Sequence, residues 1–91
     1  MGLIKVSAGS RTAAVAGSIA GTFRDHHLAE VQAIGPVAVN QAVKAMTLAK
    51  RYLAEDGYVV VFYPAFQDVD IDGKIRTAVK FIMLERDQAP G

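Results

Sequence analysis

The chain has 91 residues, ten Lys+Arg against nine Asp+Glu, 52% hydrophobic residues and no cysteine. That length supports one core and not two, the aliphatic content with near-zero net charge excludes a solvated coil, and the missing thiols exclude a disulfide framework or a thiolate metal site. The longest runs free of Asp, Glu, Lys and Arg, residues 12–23 and 31–43, fall short of the roughly 20 mostly apolar residues that a bilayer span needs.

Residues 3–7 are short, rich in β-branched side chains and partly alternating, which predicts a strand; Ala8-Gly9-Ser10 is turn material. From Arg11 the period changes. Val15, Ile19 and Phe23 fall four apart and share one helical face. Ala13, Gly17 and Gly21 form a second line at the same spacing, and two glycines inside a helix predict close approach of a neighbouring backbone. Following Lys5 and Arg11, this apolar run also resembles a signal-peptide core with Ser18-Ile19-Ala20 as its cleavage site, but a helix uses the same residues better. Asp25-His26-His27 ends the helix, where histidines complement its dipole; adjacent histidines point apart and make poor metal partners.

Residues 29–34 alternate as a second strand, and Gly35-Pro36 starts a helix with proline in its first turn. That helix is expected over residues 37–54. Val39, Ala42, Val43, Met46, Ala49 and Leu53 make its apolar stripe; Asn40, Lys44, Thr47 and Arg51 make its polar one. Residues 58–63 are the clearest strand, bent, bulged or at an edge where Pro64 follows. Asp72-Gly73 predicts a tight hairpin into a last strand over residues 74–84, and residues 88–91 read as a frayed tail after a single domain, residues 1–87. The order is β-α-β-α-β-β. Helical crossovers make the first three strands parallel and the hairpin adds an antiparallel fourth, giving a two-layer α/β fold with a mixed four-stranded sheet and both helices on one face.

This topology gathers the loop from Ser7 to Arg11, the turn at Gly35 and the hairpin tip at one edge. Two of these are helix starts, whose free N–H groups and positive dipole ends favour anions. Small residues allow a phosphate close to the backbone, Arg11 adds charge, and the bland alternative makes Ser10 an N-cap and Gly35 a turn. Charge is uneven: residues 1–51 carry six basic and two acidic side chains, residues 52–91 four and seven, which permits an anionic partner on one surface. On the last strand Arg76, Lys80 and Ile82 share one face, and Thr77, Val79, Phe81 and Met83 the other. Tyr63 and Phe66 offer stacking surfaces for a nucleic-acid strand or core aromatics. Asp68, Asp70, Asp72 and Gly73 imitate the opening of a calcium loop, but position twelve is Val79 and the flanks are strands. No catalytic constellation stands out: Ser7, Ser10 and Ser18 lack a histidine at the same edge, and there is no P-loop or carboxylate pair.

Several uninterrupted blocks carry a resemblance. Lys5-Val6-Ser7, Val15-Ala16-Gly17-Ser18-Ile19-Ala20-Gly21, Glu30-Val31-Gln32-Ala33-Ile34-Gly35, Ala38-Val39-Asn40-Gln41-Ala42-Val43-Lys44-Ala45, Pro64-Ala65-Phe66 and Ile71-Asp72-Gly73 with Arg76-Thr77-Ala78 resemble, in this order, the stage V sporulation protein S family, small bacterial proteins with an Alba-like fold. The resemblance implies a dimeric or higher homo-oligomeric, cytoplasmic regulator that binds DNA or RNA and affects sporulation or developmental gene expression, with no cofactor and no enzymatic role. It implies contacts from Ser7, Ser10 and Arg11 in the first loop, Gln32, Asn40 and Lys44 around the second helix, and Lys74 and Arg76 on the hairpin. Archaeal Alba proteins have lysines in the first loop where this chain has Arg11 among small residues, so a modest, salt-sensitive affinity is expected rather than tight coating of DNA. Two other readings are a protein-interaction adaptor docking through the sheet and a sensor holding a small phosphorylated ligand at the helix starts.

Overall fold

Hydrophobic period alternates between two and about 3.6 along the chain, and the elements follow it. They are β1 (Leu3–Val6), α1 (Thr12–His26), β2 (Leu28–Ala33), α2 (Pro36–Glu55), β3 (Val60–Ile71) and β4 (Lys74–Glu85), then a 3-10 turn at Arg86–Gln88. This computed structural model describes residues 2–89; of the expected tail, Pro90 and Gly91 lie outside the described residues. The strands form one sheet in the order β1-β2-β4-β3. β1 and β2 are parallel, and β4 is antiparallel to both its neighbours. The expected architecture is therefore present, with β4 inserted between β2 and β3.

Both helices cover one face. Ala29, Val31 and Ala33 of β2, with Phe81 and Met83 of β4, point at Ile19, Ala20 and Phe23 of α1 and at Ala42, Met46 and Leu53 of α2. α2 buries Ala38, Ala42, Ala45, Met46, Ala49 and Leu53. Its stripe is thus rotated from the expected one: Val43 stays 37% exposed. Small alanines let α2 settle close to its neighbours, and the bulkier valine is left at the margin.

The glycine expectation fails. A methyl group built at Gly17 or Gly21 meets nothing within 4 Å. Gly17 is exposed, because the buried face of α1 runs through Ala16, Ile19, Ala20 and Phe23 instead. β3 also runs further than expected. Its register with β4 continues unbroken from Val60↔Glu85 to Ile71↔Lys74, because Pro64 stands on an edge strand, where a missing N–H is tolerated. At the tip Asp72 and Gly73 have φ of 52° and 80°, the left-handed pair that a tight hairpin turn requires, and the Gly73 N–H donates to Asp70 Oδ1 at 2.9 Å. Alternation and turn chemistry account for these acids without calcium.

Candidate functional site

The sheet register defines one end of the molecule. Val6 is level with Ala33, Ala33 with Val79, and Val79 with Phe66. At this level β1 and β2 stop and release the loop before α1 and the turn before α2. The β3–β4 ribbon continues for five more residue pairs, Gln67↔Ala78 to Ile71↔Lys74, about 17 Å beyond the rim. The three expected features share an end, but the hairpin tip stands above the rim instead of lying on it. The outline is correspondingly long, 42 × 29 × 20 Å.

The first loop is closed by its own serines. The Ser7 N–H donates to Ser10 Oγ at 2.9 Å, the two hydroxyls lie 3.2 Å apart, and the Ser10 N–H donates to the Ser7 carbonyl at 3.1 Å. Ser10 is therefore a loop clasp, and the residue capping α1 is Arg11. Gln41 Nε2, from α2, donates to the Ser10 carbonyl at 3.0 Å and ties the two helix starts together. Sequence reading missed Gln41; its only signal was a glutamine one turn inside a helix whose start faces that loop. Gly35 precedes α2 with φ 89° and ψ 159°, a region open essentially to glycine alone. Neither helix has a side-chain N-cap bond or an acidic residue in its first turn. Their leading N–H groups remain available, and the positive dipole ends are not neutralised.

Strand parity sorts the remaining candidates. Lys74 and Arg76 alternate with the residues facing the helices and so project on the open side of the ribbon, as does Lys80 lower down. Lys80 is committed to Glu30 at 3.1 Å. Lys5, absent from the expected contacts, lies exposed on the same open side and lines a shallow depression of about 230 Å³ with Ser7, Ala8, Gln32 and Ile34. Its signal was the period of two that sets Lys5 on one face with Ser7. Gln32 is only 6% exposed, so it forms the floor of this depression and is not a free arm. Asn40 and Lys44 are exposed on α2, Asn40 one turn and Lys44 about 12 Å along the helix from Pro36, so Lys44 stands away from the rim. Tyr63 and Phe66 differ in parity and lie on opposite faces of β3, so they do not make one stacking platform. Among the described residues, Arg11, Lys44, Lys74 and Arg76 enter no ion pair.

The first-loop serines and the histidines stand at opposite ends of α1. Ser7 and Ser10 precede α1 while His26 and His27 end it, and that helix has 15 residues, about 22 Å. Among the described residues no three His, Cys, Asp or Glu side chains come together as a metal site, and no helix is long and apolar enough to cross a membrane.

A model of the stage V sporulation protein S family matches residues 2–86, the whole of the layered fold. The chain belongs to the stage V sporulation protein S family. Its fold is also similar to that of Alba from Thermoplasma volcanium, with a TM-score of 0.59 over 93% of this chain and 100% of that one. Their sequences are 13% identical, so the likeness speaks for the fold alone. The family match spans the first loop, the start of α2 and the projecting ribbon.

Proposed function

We propose that this protein is a cytoplasmic, homo-oligomeric regulator that binds DNA or RNA through the rim end of its sheet, in the service of sporulation or related developmental gene expression, and that it acts by binding and not by catalysis. One observation carries the reading. Two helix starts without side-chain caps lie at the same end of the sheet as three cations, Arg11, Lys74 and Arg76, that enter no ion pair among the described residues. Exposed backbone amides and fixed positive charge are what a phosphodiester chain needs from a protein that does not read bases. Lys5 extends the positive surface, while Ser7, Ser10 and Asn40 supply neutral hydrogen bonds. Gln32 supports the loop from beneath, and Lys44 is the outermost of the proposed contacts. Resemblance to Alba-like proteins points to the same end.

The test is titration of labelled duplex and single-stranded DNA and RNA at increasing salt. Three or four phosphate contacts on a duplex give a slope of log affinity against log salt of about −3 to −4. Replacing both Arg11 and Arg76 with alanine lowers that slope by about two, roughly one per contact, and leaves the thermal unfolding midpoint unchanged. If the wild-type chain retains neither duplex nor single strand at low salt, the reading fails and the adaptor takes its place. Thermal stabilisation by a mononucleotide alone would favour the small-ligand sensor.

A further inference from the structure

Both helices pack on one face of the sheet, and the opposite face carries a pattern of its own. Strand parity places four cations there, Lys5 and Lys80 over the body and Lys74 and Arg76 on the ribbon. Among the described residues the only acid that the strands add to this face is Glu30, which Lys80 holds at 3.1 Å. The ribbon sorts its charges by face. Asp68 and Asp70 point to the helix side, level with Thr77 and Ile75, whereas Arg76 and Lys74 point to the open side, level with Val69 and Ile71. Opposite charges set directly across an antiparallel pair would stabilise the ribbon, and here no such pair forms. The ribbon forgoes that support, and the open face keeps a positive surface that attracts a polyanion.

Phosphate alone does not account for this face. Leu3, Ile82 and Tyr63 lie at one level across β1, β4 and β3. Leu3 is 37% exposed, and Ile82 and Tyr63 are part-exposed. A duplex meets a flat surface with phosphates and sugars, its base faces stacked inside. An unpaired strand turns base faces outward, and these stack on an aromatic side chain with little regard to sequence. From Tyr63 to the level of Arg76 is six residues along β3, about 20 Å. Between them on the same face lies Gln67, whose Oε1 finds no donor within the chain. A covered acceptor wants a partner, and the ribose 2′-hydroxyl is a donor that DNA lacks.

We propose that the open face of the sheet is a platform for single-stranded RNA, with a base stacked on Tyr63 and phosphates held by Lys74 and Arg76 above it and by Lys5 across the sheet. The proposal rests on the nucleic-acid part of the reading above and names its substrate. It adds Tyr63, which the rim contacts do not include.

Anisotropy titrations of the full chain with three labelled probes test it. The probes are an unstructured RNA strand of about 12 nucleotides, the same strand annealed to its complement, and the DNA strand of the same sequence. The protein holds the RNA strand at least about tenfold more tightly than the duplex, and more tightly than the DNA strand. Tyr63→Ala weakens RNA-strand binding at least about fivefold, the loss of one stacked base. Its salt slope stays that of wild type, because stacking releases no counterions, and Tyr63→Phe keeps the wild-type affinity. Lys5→Ala instead lowers the single-strand slope by about 0.7. Ala65→Glu, at an exposed position of the same face, is the second variant should Tyr63→Ala misfold, and it too weakens the RNA strand. A duplex held as tightly as the strand, or an RNA affinity indifferent to Tyr63→Ala and Ala65→Glu, overturns the proposal and leaves binding at the rim to be judged by the Arg11 and Arg76 double variant. If no probe is retained at low salt, both readings fall together.

Discussion

The two ends of this molecule are built on opposite plans. At the base, where α1 and α2 finish, two side-chain pairs close across the chain and three rings meet tilted and edge-on. Arg24 Nε donates to Asp56 Oδ2 at 2.6 Å, and His27 Nδ1 lies 2.7 Å from Glu85 Oε1. Phe23, His27 and Tyr58 meet with ring centroids 5.3–5.8 Å apart. His27 also closes α1 in the left-handed conformation, its N–H donating to the Phe23 carbonyl, one standard way to satisfy the last turn. At the rim, both helices start without side-chain caps, and Arg11, Lys74 and Arg76 enter no ion pair among the described residues. At the base Arg24, Asp56, His27 and Glu85 find partners within the chain, whereas among the described residues the rim leaves its leading amides, Arg11, Lys74 and Arg76 without one. Groups left open are the ones a ligand can use, and groups already bonded inside the chain contribute stability instead.

Substitutions at the two ends should therefore separate stability from binding. The largest effect belongs to the base. Phe23 has no exposed surface, and Phe23→Ala should cost about 3–5 kcal/mol, read as a lowered urea midpoint. A rim substitution that disturbs backbone comes next. At Gly35 an alanine must adopt φ near 89°, so Gly35→Ala should cost about 1–3 kcal/mol and, unlike Phe23→Ala in its folded fraction, should also weaken nucleic-acid retention by moving the start of α2. A smaller effect has the opposite sign. Gly17 sits in α1 with nothing within 4 Å of an added methyl, so Gly17→Ala should stabilise by up to about 1 kcal/mol, visible as a raised melting temperature. A melting temperature that falls would mean that the outer face of α1 is occupied in solution. The smallest effect tests the paired charges of the base. Glu85→Gln removes the carboxylate from a half-exposed contact with His27 and should cost less than about 1 kcal/mol, with the salt slope of nucleic-acid binding unaltered.

Turn chemistry and the onset of each helix period place Arg11 and Gly35 at helix starts and Lys74 beside the hairpin turn, as the structure has them; contacts to nucleic acid from Arg11, Lys74 and Arg76 are what the family resemblance implies. Gln32 is expected as an open contact, but one alternating strand does not reveal how far its side chains are covered, and at 6% exposure it lies on the floor of the depression beside Lys5. The family resemblance groups Lys44 with the start of α2, while the helix rise sets it about 12 Å from Pro36. Val43 was assigned to the core because valine is apolar; the competing alanine stripe won, since thin side chains allow the nearer approach.

By itself, the amino-acid order determined the number, kind and sequence of elements, the parallel crossovers and the Asp72-Gly73 turn, because period, proline, glycine and capping are local properties of the chain. Tertiary structure alone decided that β4 lies between β2 and β3, that the ribbon rises past the rim, and that Phe66 is stranded outside the core with acids on its side and bases on the other. Those facts depend on which strands pair over long separations and which face the two helices occupy, and pairing between distant segments leaves no periodic signal in the segments themselves.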